Sequence, residues 1–238
     1  MTRASKRKSD NQTSAPVKTA RVDSVRSASS KAAKKVEERI DELYTKYANQ
    51  SSCVIDPEGV EALCSDLKVD CTDVRILVLA WKMNAQKQGY FTQDEWRRGL
   101  KTLKADTITK LKKSLPELEK EALKSENFDD FYRYAFRYCL TEDNKKCLDI
   151  ETACVLLQLV LGVQYQDQVD SFIKFLKSQS DYKVINMDQW TNFFRFCQEV
   201  LLSSYFKSVA WRVEIFILPG DNTNWLNISV SLPRHPMI

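Results

Sequence analysis

Glycine and proline are scarce in this chain, five and six residues in 238, and histidine occurs once. Against long runs of helical periodicity, that shortage of turn formers points to an all-α class. The lone His235 lies near the C-terminal end amid Pro and Arg, a poor place for a positioned base. No phosphate-binding P-loop, G-x-S-x-G elbow or H-E-x-x-H zinc helix occurs. The seven cysteines are odd in number and contain no C-x-x-C pair, which fits a reduced nuclear or cytoplasmic compartment better than a disulfide framework or a zinc site. All seven are expected at apolar helix faces or strand edges, where burial leaves them inert. No apolar core follows Met1, so no secretory signal is expected. The longest apolar run, around residues 153–163, is broken by Gln158 and is too short to cross a bilayer. What is present is 43% apolar residues, enough for a sizeable core without a catalytic group. These absences favour a binder that positions other molecules.

Charge is unevenly spread. Residues 1–35 hold ten Lys or Arg and two Asp, net +8, so the overall +4 leaves −4 for the remainder. That stretch is rich in Ser and Ala and has no aromatic residue, the composition of a disordered basic arm. Lys6, Arg7 and Lys8 read either as a solvated, solubilising run or as a nuclear import signal or weak nucleic-acid contact.

Helical spacing starts at Val36 and continues through Ile40, Leu43, Tyr44 and Tyr47. Asp56 and Pro57 predict the cap and first turn of the next helix, and a third is expected from near Thr72. Residues 84–95 then have the outline of an EF-hand calcium loop. Gly89 stands at the sharp turn, Phe91 at position eight and Glu95 at twelve, but positions three and five are the neutral Gln86 and Gln88. One carboxylate is too few to hold calcium, so no metal is expected. Thr92 and Glu95 have the spacing of a capping box. Ile55 and Phe91 are expected in short strands that pair two helix–loop–helix units. Residues 147–149 and 182–185 predict a second such pair. A helix from near Thr107 is expected to break at Pro116 and restart on a capping box from Ser114 to Glu117. The architecture predicted is all-α, two EF-hand-like pairs with degenerate, metal-free loops.

The stretches Gly59 with Val60, Leu63 with Cys64, Asp66 with Leu67, then residues 76–82, 89–96, 128–136, 148–153 and 187–190, occur in the order found in one family. In these motifs the chain resembles the potentiating-neddylation (PONY, or DCUN1) domain of the defective-in-cullin-neddylation proteins, over residues 36–200. The resemblance implies a metal-free EF-hand-like fold without a cofactor. It implies a scaffold-type ligase for the ubiquitin-like neddylation modifier, without catalytic residues of its own. Its partners would be the neddylation conjugating enzyme, held by an acetylated N-terminal helix, and a cullin winged-helix domain. The gain would come from proximity and orientation, since no bond passes through the ligase.

Carried onto this sequence, the implied pocket for the conjugating-enzyme helix comprises Val60, Ile76, Leu79, Ala80, Met83, Gln88 and Phe91 with Tyr138, Leu156 and Leu159. Ile76 and Leu79 read equally as core. Gln88 reads as a partner for a peptide's polar atoms or as a solvated loop residue. Asp188 matches the first acid of the family's cullin patch, and at a helix start it also favours the helix dipole. Beyond Val200 the match ends. Where the family carries an acidic stretch and a final helix, residues 201–238 hold two acids, Glu214 and Asp221, so half of the cullin site is expected to be missing. Two other classes stay open: a calcium-regulated sensor, and a nucleic-acid adaptor acting through the basic arm, which lacks aromatics for base stacking.

Overall fold

A computed structural model describes residues 20–140 and 145–206, and these residues are predominantly helical, with nine helices and one two-stranded sheet. Helix α1 (Ala20–Tyr47) starts upstream of the Val36 boundary expected from periodicity. Residues 31–36 are nonetheless exposed, and the packed face of Ile40, Tyr44 and Tyr47 begins at Ile40. Residues 1–19 of the basic arm lie outside the described residues. Helix α2 (Pro57–Leu67) is capped by Asp56, whose carboxylate accepts from Gly59 N–H at 3.0 Å. Helix α3 (Val74–Met83) takes Asp73 as its cap, one residue past Thr72. Helix α4 (Gln93–Thr102) opens on the Thr92/Glu95 capping box. Ile55 and Phe91 exchange both backbone hydrogen bonds, at 3.0 and 2.9 Å, as an isolated antiparallel bridge between the loops.

Helix α5 (Ile108–Ala122) corrects one expectation: it runs unbroken through Pro116. Leu111, Leu115, Leu118 and Ala122 bury one stripe along its length, against α3 and α2. Pro116 and Lys112 are both exposed, so the Lys112 carbonyl that loses its donor faces water. Ser114 does not restart a helix; its hydroxyl donates to Leu111 O at 2.7 Å.

Helix α6 (Ser125–Tyr138) supplies an aromatic face that joins the halves, touching α3 on one side and later helices on the other. Strand β1 (Cys147–Asp149) leads into helix α7 (Ile150–Leu161). Helix α8 (Gln166–Ser178), unassigned by the sequence reading, packs Val169, Phe172 and Leu176 inward and lies against α7. Strand β2 (Val184–Asn186) pairs antiparallel with β1, Leu148 facing Ile185, and precedes helix α9 (Met187–Phe206). Tyr132 of α6 and Trp190 of α9 exchange hydrogen bonds from side chain to main chain at 2.9 and 3.0 Å, with their rings stacked at 4.5 Å. Past the backbone of α9, the divergent end 201–238 lies outside the described residues.

Candidate binding groove

Where the first helix–loop–helix unit faces α6 and α7, the surface opens into a groove of about 1280 Å³. Val60 of α2, Ile76 of α3, Gln88 and Phe91 of the loop, Tyr138 of α6, and Leu156 and Leu159 of α7 all line it. Seven of the residues singled out in the sequence thus come together from both halves of the chain. Leu79, Ala80 and Met83 do not line it; they are at most 1% exposed, turned into the core beneath α3. Ile76, Leu79, Ala80 and Met83 share one face of α3, and the split runs along the helix axis: Ile76, in the first turn, reaches the groove, while the three later residues run on into the core.

The floor is held by main-chain contacts. Tyr138 is 8% exposed, and its hydroxyl accepts from Gly89 N–H at 3.2 Å. Burial pushes that hydroxyl up to about 12, so it stays neutral. Gly89 has φ +77°, a conformation that other residues adopt only with strain, and it lets the loop turn tightly over Pro57. The exposed side chain of Gln88 stands on the rim.

Sequence reasoning missed part of the wall. Val155 is 70% and Val163 90% exposed, both beside the groove. The signal was present in α7, which is apolar on more faces than one buried stripe requires. Glu61, Glu119 and Glu151 also line the groove, with Arg75, whose guanidinium is clamped by Asp73 at 2.9 and 2.5 Å.

The loop beside the groove is closed by protein groups. Glu95 is buried, and its Oε1 accepts from Gln86 N–H at 2.9 Å. Its Oε2 accepts from the Thr92 N–H at 2.7 Å and from the Thr92 hydroxyl at 2.8 Å. The carboxylate at position twelve therefore already bridges the two ends of the loop. Among the described residues, no three His, Cys, Asp or Glu gather as a metal site.

Asp188 is exposed in the first turn of α9. The cap there is a reciprocal pair, Gln189 N–H to Asn186 Oδ1 at 2.9 Å and Asn186 N–H to Gln189 Oε1 at 2.8 Å, so Asp188 is not itself the capping side chain. The cysteines also need correcting: Cys64, Cys139, Cys154 and Cys197 are buried, but Cys53 and Cys71 are exposed, because both sit in connections between helices.

The chain thus forms a helical domain of two packed units with a largely apolar groove between them, edged by Gln88 and by the charged Glu61, Arg75, Glu119 and Glu151. Comparison with known proteins makes the class specific. A family model described as "Cullin binding" matches residues 110–215, reaching past Val200, where the motif resemblance ends. DCN1-like protein 4 of Homo sapiens is 42% identical over 174 residues, covering 72% of this chain and 58% of that protein. DCN1-like protein 5 of Homo sapiens is 38% identical over 162 residues, 67% of each. DCN1-like protein 4 of Drosophila melanogaster is 36% identical over 177 residues, 74% of this chain and 68% of the relative. The chain belongs to the DCN1-like protein family. It spans about three fifths of the DCN1-like protein 4 of Homo sapiens and of Danio rerio, at 58% and 61%.

Proposed function

We propose that this chain promotes cullin neddylation as a non-covalent scaffold. The groove receives the acetylated N-terminal helix of the neddylation conjugating enzyme, and the surface around Asp188 holds a cullin winged-helix domain. The observation that carries this reading is the groove itself, in which apolar side chains from α2, α3, α6 and α7 face one opening. Covering Val155 and Val163 with an incoming apolar helix would contribute roughly 1.5 kcal/mol each, and Gln88 can meet the acetyl or peptide oxygens. Leu79, Ala80 and Met83 support the wall from behind. In this reading the paired helix–loop–helix units are EF-hand-like, with Glu95 bridging the loop where an ion would otherwise do so.

The chemistry asked of the chain is positional. Holding thioester and acceptor lysine in one assembly raises their effective concentration without a nucleophile on the scaffold. The acids expected of the family's last helix are absent from residues 201–238, so cullin holding is the weaker half of the function.

The test is transfer of the modifier from charged conjugating enzyme to a cullin winged-helix domain. Adding this chain should accelerate transfer. Ile76→Arg should remove the gain while the fold, followed by circular dichroism, is kept, because a long charged side chain in place of Ile76 fills the opening and removes apolar surface that the incoming helix would cover. Unchanged acceleration by a folded Ile76→Arg chain would contradict the assignment of the groove.

A further inference from the structure

Tyr134 and Tyr138 stand one turn apart on α6, their rings stacked at 5.4 Å, and their hydroxyls reach two points of the loop between α3 and α4. Tyr134 donates to Ala85 O at 2.9 Å, so its proton is engaged by the protein. Tyr44, Tyr47 and Tyr132 likewise donate, to Cys53 O, Asp66 Oδ2 and Trp190 O. Tyr138 does the reverse. Its oxygen accepts from Gly89 N–H at 3.2 Å, and its own proton meets no acceptor among the described residues. The side chain is 8% exposed and lines the groove beside Gln88 and Gly89. A buried donor without a partner is destabilising, and an incoming chain that shuts water out imposes that penalty in full unless it brings an acceptor. We infer that the Tyr138 hydroxyl is the donor that recognises the acetyl group of the incoming helix, giving its proton to the acetyl oxygen. This role rests on the groove being the helix-receiving surface.

The charges around the groove decide what kind of acceptor fits. Glu61, Asp73, Glu119 and Glu151 line it, and Arg75 is the one Lys or Arg among the described residues that does so. Arg75 is already clamped by Asp73, which leaves three glutamates. An anionic acceptor such as a carboxylate or phosphate would be repelled by them. A free ammonium would suit the glutamates, but it has no lone pair for the Tyr138 proton. A neutral carbonyl meets both conditions. At the inserted end of an acetylated helix the first carbonyl is that of the acetyl group, and its oxygen has two lone pairs, of which its own helix uses one. Gln88, exposed on the rim, is then left for the other polar atoms of that end.

The test uses the N-terminal peptide of the neddylation conjugating enzyme, capped with either an acetyl or a thioacetyl group. Sulfur in place of oxygen keeps the cap neutral and similar in shape but makes it a weaker acceptor. Both peptides are titrated into the full chain, into Tyr138→Phe and into Gln88→Ala, with the fold of each followed by circular dichroism. The parent should bind the acetylated peptide about fivefold more tightly than the thioacetylated one, the worth of one neutral hydrogen bond. In Tyr138→Phe the two affinities should converge. Loosening of the loop, where Gly89 N–H loses its acceptor in that variant, would weaken both peptides alike and leave the fivefold ratio standing. Gln88→Ala should weaken both and keep the ratio, so the parent and this variant decide the matter even without a folded Tyr138→Phe. Equal affinities in the parent, or a fivefold ratio that survives in Tyr138→Phe, would overturn the role of the hydroxyl. A ratio lost in Gln88→Ala would overturn it in favour of Gln88. Failure of the parent to bind either peptide would overturn the proposed function, and this role with it, whereas binding of both at one affinity would overturn this role alone.

Discussion

Asp106 is one of two buried charged residues among those described, and it is held from two sides, by Arg39 of α1 at 3.0 Å and by Lys110 in the first turn of α5. The hydrogen bond from Lys110, with that from Arg39, holds its carboxyl below the usual value of 3.8, against the opposing effect of burial. A depressed carboxylate stabilises the fold at pH values above its unfolded value, and that contribution is lost as pH falls through the lower folded value. Asp106→Asn should therefore lower the melting temperature by roughly 5 °C near neutrality. The difference from the parent should shrink below pH 3.8, which thermal melts across pH would check. Glu95 is the other. Because its oxygens close the loop themselves, millimolar calcium should leave the melting temperature of the parent unchanged, whereas a native-state ligand would raise it. Glu95→Ala should cost about 2 kcal/mol, from the lost cap and the Gln86 contact. A calcium-dependent rise in the parent's melting temperature would contradict this reading of the loop.

Among the elements, α5 offers the sharpest test. A proline inside an exposed stretch of helix destabilises it, and here the buried leucine stripe keeps the helix continuous regardless. Pro116→Ala should raise unfolding free energy by about 1–3 kcal/mol, read from the urea midpoint. No gain would mean that the ring itself is needed where it stands. The same helix shows where sequence reasoning stops. Caps were legible because they are local: Asp56, Thr92 and Thr107 each accept from the N–H three residues on. The Ile55–Phe91 bridge was legible because the loop spacing fixes it. The fate of Pro116 was not, because it depends on what α2 and α3 do to the opposite face. Helix α8 was missed although Val169, Phe172 and Leu176 carry the helical period, because its remaining residues are largely polar. In the groove, residue type gave Ile76 and Leu79 the same reading, and only the packing of α3 separates them.

At the scale of the whole molecule, the two helical units meet through α3, α5 and α6, and the groove exists because that junction leaves α7 standing off from α2. Asp188 is not among the residues that line the groove, so the two halves of the proposed function should be separable by mutation. Replacing residues 201–238 with the family's acidic ending should strengthen binding of a cullin winged-helix domain at matched salt without changing affinity for the conjugating-enzyme helix. Equal cullin affinities would show that the divergent end supplies its own contacts. The central claim is that the groove recognises an acetylated apolar helix. It is tested most directly by titrating the N-terminal peptide of the neddylation conjugating enzyme, acetylated and unacetylated, into the parent chain and into Ile76→Arg by fluorescence polarisation. The expected result is saturable binding of the acetylated peptide, at least about tenfold weaker binding without the acetyl group, which leaves a charged amine to be desolvated, and none to Ile76→Arg. Equal binding of both peptides, or full binding to the folded variant, would contradict it.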